Sequence, residues 1–244
     1  MISGFELLRQ LSENPANSVF RLVRNKAAVE AKVAAEIGRS NIYIIQADTT
    51  DPDTLKKAAQ VISKKINGTL DYIITCAALQ AKTALVGLDT LIQDPKALKE
   101  DLIEHFQVNT IGPVHLFSIF IPLILKGRAK KVIAISTAVA YSISKAALNI
   151  AVTKFSAVYR KKGVLVIAIC PGAVDTSSLQ IETEEEGKLA IAIFQKFKDY
   201  SPTFQGPAKL DVSVESVLAL VNKATVNGSY AGVFISHTEK KPYL

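Results

Sequence analysis

Residues 130–149 read "KKVIAISTAVAYSISKAALN". The first half, "KKVIAIS", is a short apolar run behind two lysines and predicts a strand buried on both faces. The second half opens a segment of helical period that continues to "YRKKG" at residue 163. Only Thr137, Ala138, Val139 and Ala140 separate Ser136 from Tyr141, and Lys145 follows the tyrosine one helical turn later on the same face. A strand feeding straight into a helix is half of a βαβ unit, and the alternation recurs along the chain. "SVFRLV" leads to "KAAVEAKVAAEIG", "NIYIIQAD" to "DTLKKAAQVISKKI", and "LDYIITCAA" to "ALKEDLIEHFQVNTIGPVHLFSIFIPLIL". "VLVIAICPG" then precedes a polar stretch and "VESVLALVNKAT", and "GVFIS" is the last strand. The pattern predicts a single α/β domain over residues 1–244, with a doubly wound parallel sheet whose ligands bind beyond the carboxyl ends of its strands.

The composition agrees: 244 residues with 49% hydrophobic content can bury the core of one large domain. No uncharged apolar run reaches the ~18 residues of a membrane helix; "VHLFSIFIPLIL" contains Pro122 and stops at Lys126. "MISGFELLRQL" lacks the layout of a signal peptide, and two cysteines, Cys76 and Cys170, make no disulfide framework, so a cytoplasmic protein with no membrane partner is expected. The net charge of +7 is carried partly by "GRAKK" and "YRKKG" at helix-to-strand junctions, where cations complement helix C-termini. Without an aromatic platform or recognition-helix pattern, no nucleic-acid partner is expected. His105, His115 and His237 show no metal spacing and read as packing or surface groups. "ETEEEGK" at 182–188 reads as a solvated helix start.

Polar residues at the predicted strand ends are Arg24 with Asn25, Asp48, Cys76, Ser136, and Pro171 with Gly172. With "ADTTD" after one strand, "ITCAA" after the next, "VNTIG" in the following helix, "AIS" before "YSISK", and "CPGAVDT" after a later strand, the chain resembles the short-chain dehydrogenase/reductase family over nearly its whole length. "LVRNK" and "FISHTEKKPYL" are most similar to its small carbonyl-reductase branch, which includes the C-factor and sniffer proteins. The resemblance implies an NADPH-dependent oxidoreductase that reduces a ketone or aldehyde to an alcohol. In it Tyr141 is the general acid, Lys145 lowers the tyrosine pKa, Ser136 holds the substrate oxygen, and Asn109 supports a water relay to Lys145. It further implies that Gly4 sits at the pyrophosphate, Asp48 accepts from adenine, and Ala77 lies in the turn beside the cofactor. Tyr141, Lys145, Pro171, Gly172 and Thr176 would lie against the nicotinamide end, and Arg24 with Asn25 would meet the 2′-phosphate of NADP(H), since a guanidinium there pairs with phosphate where NAD would need an acidic residue. Plainer roles stay open: an ordinary amphipathic pair for Tyr141 and Lys145, a strand-end cap for Ser136, helix packing for Asn109 and a solvated Arg24.

Three departures qualify this. The family's first strand and its glycine-rich turn have no counterpart before "FELLRQL", so the central sheet position should be empty, and its neighbours' backbone groups unpaired. About a dozen residues usually separate the serine from the tyrosine; here four do, and five steps span at most about 17 Å. Cys76 and Ala78 stand where asparagine and glycine are usual. A truncated or mispredicted gene product, numbering closed over absent segments, and a protein that has lost catalysis and serves as a nucleotide-binding or interaction protein are all open accounts. Residues from Ser177 to about Lys209 should form a mobile lid that sets the substrate, and helices apolar on more than one face around Asn109 and Tyr141 predict a homodimer or homotetramer.

Overall fold

The computed structural model describes residues 2–79, 92–137, 140–175, 184–200 and 204–239. In chain order these form α1 (Ile2–Leu11), β1 (Val19–Val23), α2 (Lys26–Glu36), β2 (Ile42–Gln46), α3 (Pro52–Lys65) and β3 (Tyr72–Thr75). There follow α4 (Pro95–Phe106), a π-helical turn (Gln107–Ile111), α5 (Gly112–Ile124), β4 (Lys131–Ile135) and α6 (Ala140–Tyr159). A 3₁₀ turn (Arg160–Lys162), β5 (Leu165–Cys170), α7 (Glu184–Tyr200), α8 (Leu210–Lys223) and β6 (Phe234–Ser236) complete the chain. Every strand and helix expected from the alternation forms.

The helix starts are written in side chains. Asn25 caps α2 by accepting from the Ala28 N–H at 3.1 Å. Asp51 caps α3 and Asp94 caps α4, each with a proline at the first helical position, where the missing N–H has no partner to lose. The helical run 95–124 is long and apolar enough by composition to cross a membrane, but half of its most apolar window is buried inside the fold.

All strand pairs are parallel. β3, β4, β5 and β6 form one four-stranded sheet in that order, with Lys131 to Ile135 of β4 in register with Leu165 to Ile169 of β5. Successive side chains alternate in direction, so each strand feeds two cores. Val132, Ala134, Val166 and Ala168 face Leu55 and Ile62 of α3, Phe117 and Ile121 of α5, and Leu148 and Val152 of α6. Ile133, Leu165, Ile167 and Ile169 face Val217, Leu220 and Val221 of α8.

β1 and β2 form a separate two-stranded sheet, and among the described residues no strand lies between β1 and β3. Among the described residues the sheet is thus divided where the sequence lacks an apolar run. The two sheets still share one core, because Phe20, Leu22 and Ile45 pack onto the cluster built around Phe117 and Ile121. In place of a strand, the gap holds Arg21, whose Nη1 is buried without a hydrogen-bond partner, and Cys76, whose Sγ would lie 2.9 Å from a Cβ at Gly4. Leaving such a donor unpaired costs about 1–3 kcal/mol.

Candidate active site

Because the strands are parallel, their carboxyl ends gather the polar residues of the sequence at one edge. Arg24 follows β1, Asp48 lies just beyond β2, Cys76 and Ala77 follow β3, Ser136 follows β4, and Pro171 with Gly172 follows β5. Thr176 lies outside the described residues. β4 and β5 hold their ends together through the Ser136 N–H, which donates to the Ile169 carbonyl at 2.9 Å.

Helix α6 begins one residue before Tyr141. Within "YSISK" the two residues that are buried are Ser144 and Lys145, at 1% and 2% exposure, and they knit the site together. Ser144 Oγ donates to the Tyr141 carbonyl at 2.7 Å and accepts from Asn109 Nδ2 at 3.0 Å. Asn109 is placed by the π-helical turn, where one extra residue per turn swings its buried amide toward α6. Its Oδ1 accepts from the Leu79 N–H at 2.7 Å and its Nδ2 donates to the Leu79 carbonyl at 2.9 Å. Thr110 Oγ1 donates to the Ser144 carbonyl at 2.8 Å. The amide of Asn109 thus fastens the turn after β3 to the start of α6.

Lys145 Nζ donates to the carbonyl of Ile135, the residue before Ser136, at 3.0 Å. Ser136 Oγ lies 3.5 Å from the Lys145 carbonyl. Burial lowers the Lys145 pKa from 10.5 to about 8, and the Cys76 thiol nearby opposes the shift. The ammonium lies 5.9 Å from the centre of the Tyr141 ring. The sequence led us to expect that this cation would depress the tyrosine pKa. Instead, burial pushes Tyr141 from 10.0 up to about 12, and Cys170 adds to the rise. The reason is competition: the Ile135 carbonyl holds the ammonium, and desolvation of the phenol outweighs what a cation at that range supplies. At neutral pH the phenol is protonated and the lysine charged.

Other strand-end residues arrange themselves around this centre. Asn25 spends its carbonyl oxygen on capping α2, while Arg24 is exposed and in no salt bridge among the described residues. Asp48 Oδ1 accepts from both the N–H and the hydroxyl of Thr50 at 2.8 Å. Gly4 lets α1 approach Cys76, whose thiol is raised by burial against the pull of Arg21 and Lys145. Gly172 has φ +81°, and a Cβ there would meet the His237 ring at 2.6 Å. Ser213 Oγ donates to the Pro171 carbonyl at 2.8 Å. His105 is wholly buried, its Nδ1 donating to the Asp101 carbonyl at 2.9 Å and its ring edge-on to Tyr141 at 6.4 Å between centres. The sequence reading missed Ser144, Thr110, Ser213 and the seats of His105 and His237. Ser144 alone left a signal, as a polar residue on the apolar side of a helix. An exposed cation after β1 and a carboxylate beyond β2 suit the adenosine end of a dinucleotide, whereas the bare faces of Gly172 and Gly4 are filled by the His237 ring and the Cys76 thiol.

The family model of the short chain dehydrogenases matches residues 3–188. The chain belongs to that family. A short chain dehydrogenase of Hypocrea virens, virK, is 42% identical over 258 aligned positions, covering 99% of this chain and 95% of that protein. Because this chain has 244 residues, at least 14 of those positions are gaps in it. The NADPH-bound carbonyl reductase from chicken fatty liver superposes with a TM-score of 0.76 at 22% identity, over 99% of this chain and 94% of that one. The carbonyl reductase Sniffer of D. melanogaster gives 0.72 at 19% identity, with 99% and 94% covered. The short chain dehydrogenase family is one of oxidoreductases that use NAD(P)H.

Burying Lys145 has a measurable consequence. The unfolded chain holds this proton up to pH 10.5 and the folded chain only to about 8, so the charged lysine destabilises the fold below pH 8. The penalty, at most about 3 kcal/mol, fades as pH rises toward 10.5. Urea unfolding should therefore show the stability advantage of Lys145→Met over wild type shrinking by about 2–3 kcal/mol between pH 7.5 and 10; a difference independent of pH would refute the buried charge.

Proposed function

We propose that the chain is an NADPH-dependent carbonyl reductase acting on a ketone or aldehyde. The observation that carries this reading is the buried Lys145 ammonium at the end of β4, one turn from Tyr141 and tied through Ser144 to Asn109. Bound cofactor would supply a hydride to the substrate carbonyl carbon. Tyr141 would give its phenolic proton to the oxygen as negative charge develops there, and Ser136 would donate a hydrogen bond to the same oxygen. Lys145, charged at neutral pH, would stabilise the tyrosinate left behind once substrate and cofactor draw it off the Ile135 carbonyl. Arg24, exposed beyond β1, would pair with the 2′-phosphate, and Asp48 with the adenine amino group. The divided sheet and the tyrosine raised to about 12 favour a second reading, a protein that binds the nucleotide without turning it over.

Following NADPH absorbance with a panel of aldehydes, ketones and quinones separates the two. Tyr141→Phe should abolish oxidation, a loss of at least about 100-fold, while NADPH affinity stays within about twofold, because the proton is needed only in the transition state. Arg24→Ala should raise the KM for NADPH about tenfold or more and leave that for NADH unchanged. NADPH binding with no turnover of any substrate supports the second reading; equal rates in wild type and Tyr141→Phe overturn the first.

A homodimer belongs to the same proposal. Ile103 and Phe106 of α4 and Ile143 and Ile150 of α6 are 42–62% exposed. An open, nearly all-apolar groove of about 340 Å³ lies between these helices. A second copy would cover this face. Sedimentation at tens of micromolar should show a dimer or tetramer that Ile150→Asp converts to monomer, and a wild-type monomer would remove the idea.

A further inference from the structure

The opposite edge of the sheet carries a feature that the reductase reading does not use. Helices α3, α5 and α6 each run back over the sheet and end where the next strand begins, so their connections to β3, β4 and β5 lie side by side. The Leu70 N–H donates to the Leu123 carbonyl, the Arg128 and Ala129 N–H groups to Asp71 Oδ1, the Lys131 N–H to the Asp71 carbonyl, and the Leu165 N–H to the Lys130 carbonyl. Onto this edge project Lys64 and Lys65 from α3, Lys126, Arg128 and Lys130 from the second turn, and Arg160, Lys161 and Lys162 from the third. Lys130 is half-exposed and the other seven are exposed.

These three connections are strongly basic: beside Lys131, whose ammonium is tied to the Val221 carbonyl, the eight cations meet one carboxylate, Asp71. Complementing three helix C-termini, each worth roughly half a negative charge, leaves about five positive charges uncompensated. At other helix ends cations have carboxylate partners: Arg9 and Arg39 with Glu13, and Lys223 with Glu239. Among the described residues, none of the eight forms a salt bridge. Val61, one turn before Lys64 and Lys65, is 50% exposed, and Val158, just before Arg160, is 60% exposed. Tyr43 and Tyr159 lie under Lys65 and Lys162, ring to ammonium 4.1 and 5.3 Å, so they offer no open stacking platform for bases.

Against the expectation of no membrane partner, we propose that this edge docks the protein on an anionic bilayer surface, with the eight cations on lipid phosphates and carboxylates and the two valines at the headgroup boundary. Binding is peripheral and leaves the catalytic edge facing away from the membrane. Each lysine or arginine held near such a leaflet raises partitioning about fivefold, and the attraction decays within a Debye length.

Cosedimentation of the purified chain with phosphatidylcholine vesicles, with and without about a third phosphatidylserine, tests this without reference to catalysis. Binding should need the anionic lipid and fall steeply between 50 and 300 mM salt. Lys161→Glu/Lys162→Glu should lower it by about 25-fold or more. Lys96→Glu/Lys99→Glu, the same charge change on exposed residues of α4, should leave it within about twofold. The proposal is overturned by no binding to anionic vesicles, by equal losses in the two variants, or by tighter binding to heparin or duplex RNA than to the vesicles. Circular dichroism of both variants establishes that they are folded.

Discussion

The pairing of β4 with β5 fixes the geometry of everything else. Val132 to Ala134 and Val166 to Ile169 have no exposed surface, and their one register holds Ser136 beside Ile169 at one edge and Lys130 beside Leu165 at the other. One edge receives the start of α6 and its tyrosine and lysine, and the other receives the ends of three helices. A slip of one residue would exchange the two faces of both strands and put Ile133 and Ile167 against the wrong helices. Chemistry and charge are thus segregated by strand direction alone.

At the chemical edge, a lysine that would cost several kcal/mol to bury unpaired is held by one carbonyl and lies near a thiol. The ammonium stays charged at neutral pH, but with its hydrogen bond turned to Ile135 rather than to the phenol of Tyr141. Asn109, Ser144, Thr110 and Leu79 form a closed set of hydrogen bonds behind it that fixes the start of α6. On the far side of the edge the sheet is divided. Arg21 and Cys76 occupy the gap, and the buried Nη1 of Arg21 is the most visible polar imperfection there.

The strand and helix order was legible because buried strands and amphipathic helices leave different periods; the Asp51–Pro52 and Asp94–Pro95 starts of α3 and α4 were not read from it. The empty place between β1 and β3 was legible as a missing apolar run. The direction of the Tyr141 shift was not. Spacing shows that a lysine lies one turn away, but not that Ile135 captures it or that the ring is desolvated. Nor could spacing reveal the π-helical turn that delivers Asn109, or the contact of His237 with Gly172 across 65 residues of chain. The basic clusters at 126–131 and 159–163 read as separate helix ends in sequence. Only the parallel topology puts them, with Lys64 and Lys65, on one edge.

Lys145 is a buried, charged group at the carboxyl edge of the sheet, and everything proposed for that edge depends on it. The most direct measurement is the titration of its side chain by NMR of the protein carrying labelled lysine, with Lys145→Met used to assign the resonance. A pKa near 8 in the free protein, and a shift of that resonance on adding NADPH, is the predicted result. A lysine titrating at its ordinary 10.5 and indifferent to NADPH would contradict it.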